Sequence, residues 1–297
     1  MVMREILCGW NDDPHAVRQV LATLPMPYFA QAAYPIMGAG LDGNVLLYKA
    51  WKDALGNYPS YIAQAIGDCV SFGTGHAVDL LQAVQMAVGK QNEAFEETST
   101  EAVYGMARVD IGGERGSHQD GAVGAWAAKA VTRIGTLSRA KVGPYSGQRA
   151  KQWGADGVPK NLEDLAPQHK VRTTSLVSTW DELAAALANG YPVTVCSNQG
   201  FTMTRDANGF CSPRGHWGHC MMIAGIRQDI PGALICQSWG DNVPSGPLAL
   251  DQPNFSFWAD RRTVESMLAC GDSWAFSSFD GYPGQVLPDR WSYEGFA

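Results

Sequence analysis

The most regular alternation of apolar and polar positions lies between residues 64 and 89. Val78, Leu81, Val84 and Val88 recur at helical spacing, Asp68 stands where an N-cap belongs, and Gly89 where the helix should stop. Shorter helices follow the same logic. Asp13 precedes Pro14 as a cap, with Ala16, Val20 and Leu24 on one face. Thr98-Ser99-Thr100-Glu101 forms a capping box ahead of Ala102, Val103 and Met106, predicting a helix to about Arg108. A helical run over 122–134 ends at Gly135, and Thr179-Trp180-Asp181-Glu182 opens another over 183–189, stopped by Gly190. After residue 190 the period changes. Residues 192–196 alternate like a strand, 217–227 and 233–239 read as two more, and Asp229-Ile230-Pro231-Gly232 reads as the turn between them. An apolar run at 255–258, a helix over 263–268 and a closing strand at 273–277 complete the chain.

Pro14, Pro25, Pro27, Pro35 and Pro59 break any long element near the start, so residues 1–55 are expected to form an N-terminal arm. The arm is expected to pack on the remainder, a strap lying across a cleft being the competing arrangement. Pro144, Pro159 and Pro167 mark 136–175 as a long connection, which puts a helical subdomain at 56–170 and a β-rich one at 171–297. The chain shows no fixed-period repeat and no low-complexity tract.

At 297 residues the chain is long enough for a sizeable core. A net charge of −7 without a basic run argues against nucleic acid and anionic membranes as partners. No apolar stretch is long enough to span a bilayer. Seven cysteines without a small disulfide framework, and no long apolar stretch at residues 1–7, predict a reducing compartment without a signal peptide.

Cys69 is the candidate nucleophile. In a first helical turn, unpaired N–H groups and the helix dipole favour a thiolate, although Asp68 works partly against it. Acyl transfer further needs oxyanion donors and a base. Gln64, five residues upstream, can set an amide N–H beside that of Cys69. A base is offered by His219, opening the apolar strand Gly218-His219-Cys220-Met221-Met222, while the next apolar run ends in Gln237-Ser238-Trp239-Gly240. Competing readings attach to each group. Cysteines on apolar elements are usually packed hydrophobes, the expected state of Cys8, Cys196, Cys220, Cys236 and Cys270. His219 also reads as a core histidine, and Trp217 and Trp239 as core aromatics. Cys211, His216, His219 and Cys220 are near enough for zinc, but adjacent ligands suit a tetrahedral site badly. No metal and no cofactor are expected.

The order Gln64, Gly67-Asp68-Cys69, Gly218-His219, Gln237-Ser238-Trp239-Gly240 resembles the papain-like cysteine peptidases over about residues 55–290. The resemblance implies an α+β papain-like fold with a helical subdomain, an antiparallel β-barrel-like subdomain and the active site between them. It makes Gln64 the oxyanion donor, Cys69 the nucleophile, His219 the base and Trp239 a shield for the hydrogen bond that orients the imidazole. Gln237 stands where that family has asparagine, keeping the amide oxygen on a side chain one methylene longer. Gln64 is one residue nearer the cysteine than in typical relatives, and Ile66 replaces a usual cysteine. In the glycine-rich loop 111–121, Gln119-Asp120-Gly121 stands where such enzymes bring the substrate backbone to the cleft wall; a flexible loop is the alternative, and His118 is expected to be solvated. The implied reaction is thiol-mediated hydrolysis of peptide bonds in a peptide or protein substrate. Rival expectations are a cell-wall peptide amidase or endopeptidase of bacterial or phage type, and a non-catalytic virion or scaffold module retaining the fold. The expected location is cytoplasmic or virion-associated.

Overall fold

A computed structural model describes residues 7–89 and 94–292. The expectation about residues 1–7 therefore falls almost wholly outside the described residues. The long helix forms as read, Cys69–Ala87, followed by Val88 and by Gly89 at a φ of +70°. It is not amphipathic in place, because both halves of the molecule pack around it. Its polar residues are buried too: His76 stacks on Tyr61 at 3.7 Å between ring centroids, and the Asp79 carboxylate accepts from the Thr98 N–H (2.9 Å) and the Tyr61 hydroxyl (3.1 Å). A side chain at Gly73 would bring a Cβ to 3.0 Å from the Cys220 sulfur, so this glycine lets the strand bearing His219 approach the helix.

The strands are β1 (Thr173–Leu176), β2 (Val193–Arg205), β3 (Cys211–Arg227), β4 (Gly232–Cys236), β5 (Ser256–Asp260) and β6 (Ser273–Ser277). All neighbours pair antiparallel in the order β1-β6-β2-β3-β4-β5. The expectation of a barrel-like subdomain is corrected here: the sheet is open, with β1 and β5 at its edges. Each edge is blunted by one bridge to another segment, Tyr28 to Leu176 and Phe210 to Trp258, which meets the unpaired-edge problem without closure. β2 and β3 run longer than their sequence patterns, joined at 206–210 where Asp206 Oδ1 accepts from the Asn208 and Phe210 N–H groups. β4 ends at Cys236, short of the expected 239. The chain bends there so that Ser238 O accepts from the Gln64 N–H (2.9 Å) and Trp239 bridges Ala63.

The helical half is tied by Glu101, which is fully buried. Its carboxylate takes Arg139, Arg149 (2.6 Å) and the Ser146 N–H (3.0 Å), so most of the 136–175 connection is moored to this half. The Thr179 cap forms as read, accepting from the Glu182 N–H while Glu182 accepts from the Ser178 N–H; the earlier box shifts by one residue, Ser99 rather than Thr98 capping the Ala102 N–H because Glu101 is taken by the arginines. The first helix, Pro14–Leu21, is shorter than expected but is capped by Asp13. Among the described residues no helix is long and apolar enough to cross a membrane, and no three His, Cys, Asp or Glu side chains gather to hold a metal ion.

Candidate active site

Cys69 opens the central helix, where the first N–H groups lack intrahelical acceptors. Its sulfur lies 3.4 Å from the backbone nitrogen of Cys220, next in chain to His219. The two candidate catalytic elements, about half a chain apart in sequence, thus meet at one end of the helix. His219 is fully buried and its ring stacks on Trp239, centroids 4.7 Å apart and planes 26° apart. Neither of its ring nitrogens has a hydrogen-bond partner, so no bond joins it to Cys69 or to Gln237. Gln237 instead donates to Asn242 O (3.0 Å), leaving its Oε1 buried and unpaired.

Gln64 is held from two sides. Its Oε1 accepts from the Ser238 hydroxyl (2.6 Å) and one Nε2 hydrogen goes to Ile66 O (2.9 Å). An amide carries two such hydrogens, which leaves one for a ligand. Asp68 precedes the helix but makes no side-chain cap; it accepts from the Tyr145 hydroxyl at 2.9 Å. Burial raises its carboxyl well above the ordinary range, which reduces the negative charge expected beside Cys69. Asp120 accepts from the Gly67 N–H (3.2 Å) and pairs with Lys151 (3.3 Å), so it braces the turn into the helix. Gly121 donates to the Tyr104 hydroxyl (2.9 Å), and its neighbour Ala122 faces the groove with free backbone groups taken up by the N-terminal arm.

That arm does more than pack against the outside. The N–H groups of Gly9 (3.0 Å) and Trp10 (2.9 Å) both donate to Gly218 O, the Ala122 N–H donates to Gly9 O (2.9 Å), and the Asn11 N–H to Ala122 O (2.9 Å). Leu7 O accepts from the Trp239 indole at 3.1 Å. Residues 7–11 therefore run as a strap along the line where the helical half, through Gly67 and Ala122, meets the sheet half, through Gly218 and Trp239. Residues 7–11 take the strap position, while the rest of the arm packs on the remainder, with Phe29, Leu46, Leu47, Tyr48 and Trp51 buried in the core. Gly9 crosses so close that a Cβ there would lie 2.0 Å from Gly67 O. Nothing in the proline-broken sequence signals this contact; only the glycine itself hints at a close approach.

Burial explains the electrostatics. With no exposed surface, the Cys69 thiol is pushed well above its ordinary pKa, and His219 is pulled down to about 3. The helix start, expected to favour a thiolate, is outweighed by desolvation while the strap is in place. The pair is neutral in this state.

No protein-family model and no curated protein matches the chain. Solved structures do match it. Xylellain, a cysteine protease from Xylella fastidiosa, aligns with a TM-score of 0.62 and 18% identity over 94% of this chain and 100% of its own. The chain has a papain-like fold. Procathepsin B S9 from Trypanosoma congolense aligns at 0.58 and 11% identity over 94% of this chain and 87% of its own. Digestive procathepsin L 3 of Tenebrio molitor aligns at 0.56 and 15% over 88% and 79%. Within this papain-like fold the halves are the helical layer holding Cys69 and the open sheet holding His219.

Proposed function

We propose that the chain is a papain-like cysteine peptidase held latent by its own strap. The observation that carries this reading is the meeting of Cys69, at a helix start, with the strand of His219, 3.4 Å from sulfur to the Cys220 nitrogen. With the groove open and wetted, His219 takes the thiol proton and the thiolate attacks the peptide carbonyl. The oxyanion rests on the remaining Gln64 amide hydrogen and the Cys69 N–H. His219 returns the proton to the leaving amine, and water cleaves the thioester. Gln237 Oε1, buried and unpaired, is the acceptor available to orient the imidazole once either side chain rotates, and Trp239 shields that bond. Ala122 and Gly218, which bind the strap backbone, supply the groups that would bind a substrate backbone, with Asp120 and Gly121 setting the wall behind them.

Turnover of a mixed peptide substrate by the parent chain, after acid or mild-denaturant opening of the strap, tests the reading against Cys69→Ala. Loss of all turnover in the variant is expected; turnover that survives it sinks the thiol mechanism. A second reading, a non-catalytic module retaining the fold, is favoured by the unpaired ring nitrogens of His219. It predicts that Cys69 alkylates no faster than an ordinary thiol even with the groove open.

A further inference from the structure

Trp10 is the one strap residue whose side chain is driven inward. It is 6% exposed, and its indole N–H donates to Asp272 Oδ2 at 2.8 Å. Asp272 is itself buried, just ahead of β6, with its other donors built into the framework: the Gly124 N–H at 2.7 Å on the same oxygen and the Trp274 indole at 2.7 Å on Oδ1. A Cβ on Gly124 would come within 2.8 Å of both carboxylate oxygens, so the acid is wedged against the start of that helix and cannot swing away. Two donors are permanent and the third arrives with the strap. When the strap leaves, a flat, Trp-shaped pocket opens with a buried carboxyl acceptor at its floor, Oδ2 keeping the Gly124 N–H but losing its second donor, and an acceptor left short of a donor there is costly. The pocket lies beside the reacting centre, because the Trp10 and Gly9 N–H groups share the carbonyl of Gly218, the residue before His219.

The geometry points to this pocket as the side-chain specificity site of the groove, with Asp272 selecting tryptophan in the peptide substrate, the strap being a built-in mimic of that residue. The assignment rests on the peptidase reading and deepens it. A phenylalanine fits the walls but leaves Oδ2 short of its donor, and a site built to hydrogen-bond a ligand discriminates strongly against one lacking the group. Asp272 acts on binding and takes no part in proton transfer.

The test uses the full chain carrying Gly9→Ala and Trp10→Ala, which empties the groove. Cys69 is alkylated with iodoacetamide in the presence of N-acetyl peptide amides carrying tryptophan, 1-methyltryptophan, phenylalanine or arginine. The tryptophan peptide is expected to protect Cys69 at concentrations at least about tenfold lower than the other three. Equal protection by tryptophan and 1-methyltryptophan, preference for arginine, or no protection by any peptide overturns the assignment. Because protection needs no turnover, discrimination without cleavage upholds the pocket and sinks the peptidase reading, whereas cleavage without discrimination does the reverse. Should the double variant not fold, Trp10→Phe in the otherwise unchanged chain serves. It keeps the plug but drops the N–H, and the alkylation rate of Cys69 should rise about tenfold or more; an unchanged rate overturns the proposal.

Discussion

Replacing Gly9 by alanine probes the strap with a single methyl group. In place, that Cβ would sit 2.0 Å from Gly67 O and 2.3 Å from the Gly67 carbonyl carbon, contacts backbone cannot yield to cheaply. What opposes release is modest. Four backbone and two indole hydrogen bonds at about 1 kcal/mol each, and burial of Trp10 at about 2–3 kcal/mol, hold residues 7–11. Ordering five residues costs about 1–2 kcal/mol apiece, so the net hold is a few kcal/mol at most. Overpacking of about 1–3 kcal/mol removes much of it, and each 1.4 kcal/mol is tenfold in the open population. Alkylation of Cys69, followed by peptide mapping to separate it from half-buried Cys8, should therefore accelerate about 10- to 100-fold in Gly9→Ala. The melting temperature should fall only slightly, since releasing the strap costs no more than its own small net hold. A Cys69 rate within twofold of the parent would refute the view that these five residues are what seals the sulfur.

Acid should open the strap as well. Burial holds His219 at about 3 against 6.5 for a free imidazole, so the closed state is favoured fully above 6.5 and loses ground as pH falls toward 3. Strap amide exchange, corrected for its intrinsic rate, should rise roughly 50-fold between pH 6.5 and 4.5; a flat profile contradicts the linkage. Glu101→Gln leaves Arg139 and Arg149 around a neutral amide and should cost about 3 kcal/mol in chemical denaturation. A loss under 0.5 kcal/mol would show the cluster to be dispensable. Ser238→Ala frees the Gln64 amide, and on the peptidase reading should lower kcat by about 10-fold or more with little change in KM; a change confined to KM argues against an oxyanion role.

Much of the architecture was legible because it rests on local signals. The Asp68-to-Gly89 pattern located the central helix almost to the residue, and the Thr179–Glu182 box and the closing strand at 273–277 were likewise placed. β1 and β5 were not read as strands. Thr173–Leu176 carries no alternation because it is buried throughout, and Ser256–Asp260 is nearly so. The open sheet was hidden for a related reason, since closure depends on which edges pair, and strand patterns do not encode that. Motif order put forward Gln64, Cys69, His219 and Gln237 as candidates, but not the hydrogen bonds they make. Trp10 and Asp272 carried no signal at all: they lie 262 positions apart, and only the fold joins an indole in a proline-broken arm to a lone acid before the last strand.

The Ser238 clasp has a mechanical consequence. Gln64 precedes Cys69 by five residues, yet its side-chain oxygen and its main-chain nitrogen are both fastened to Ser238 across the groove. Any hinge motion that widens the gap between the layers therefore drags the amide along with the far wall, away from the sulfur. On the peptidase reading, opening wide enough to admit a bulky ligand and being poised to react become mutually exclusive postures, so reclosure around the guest, rather than entry alone, would assemble the donor pair.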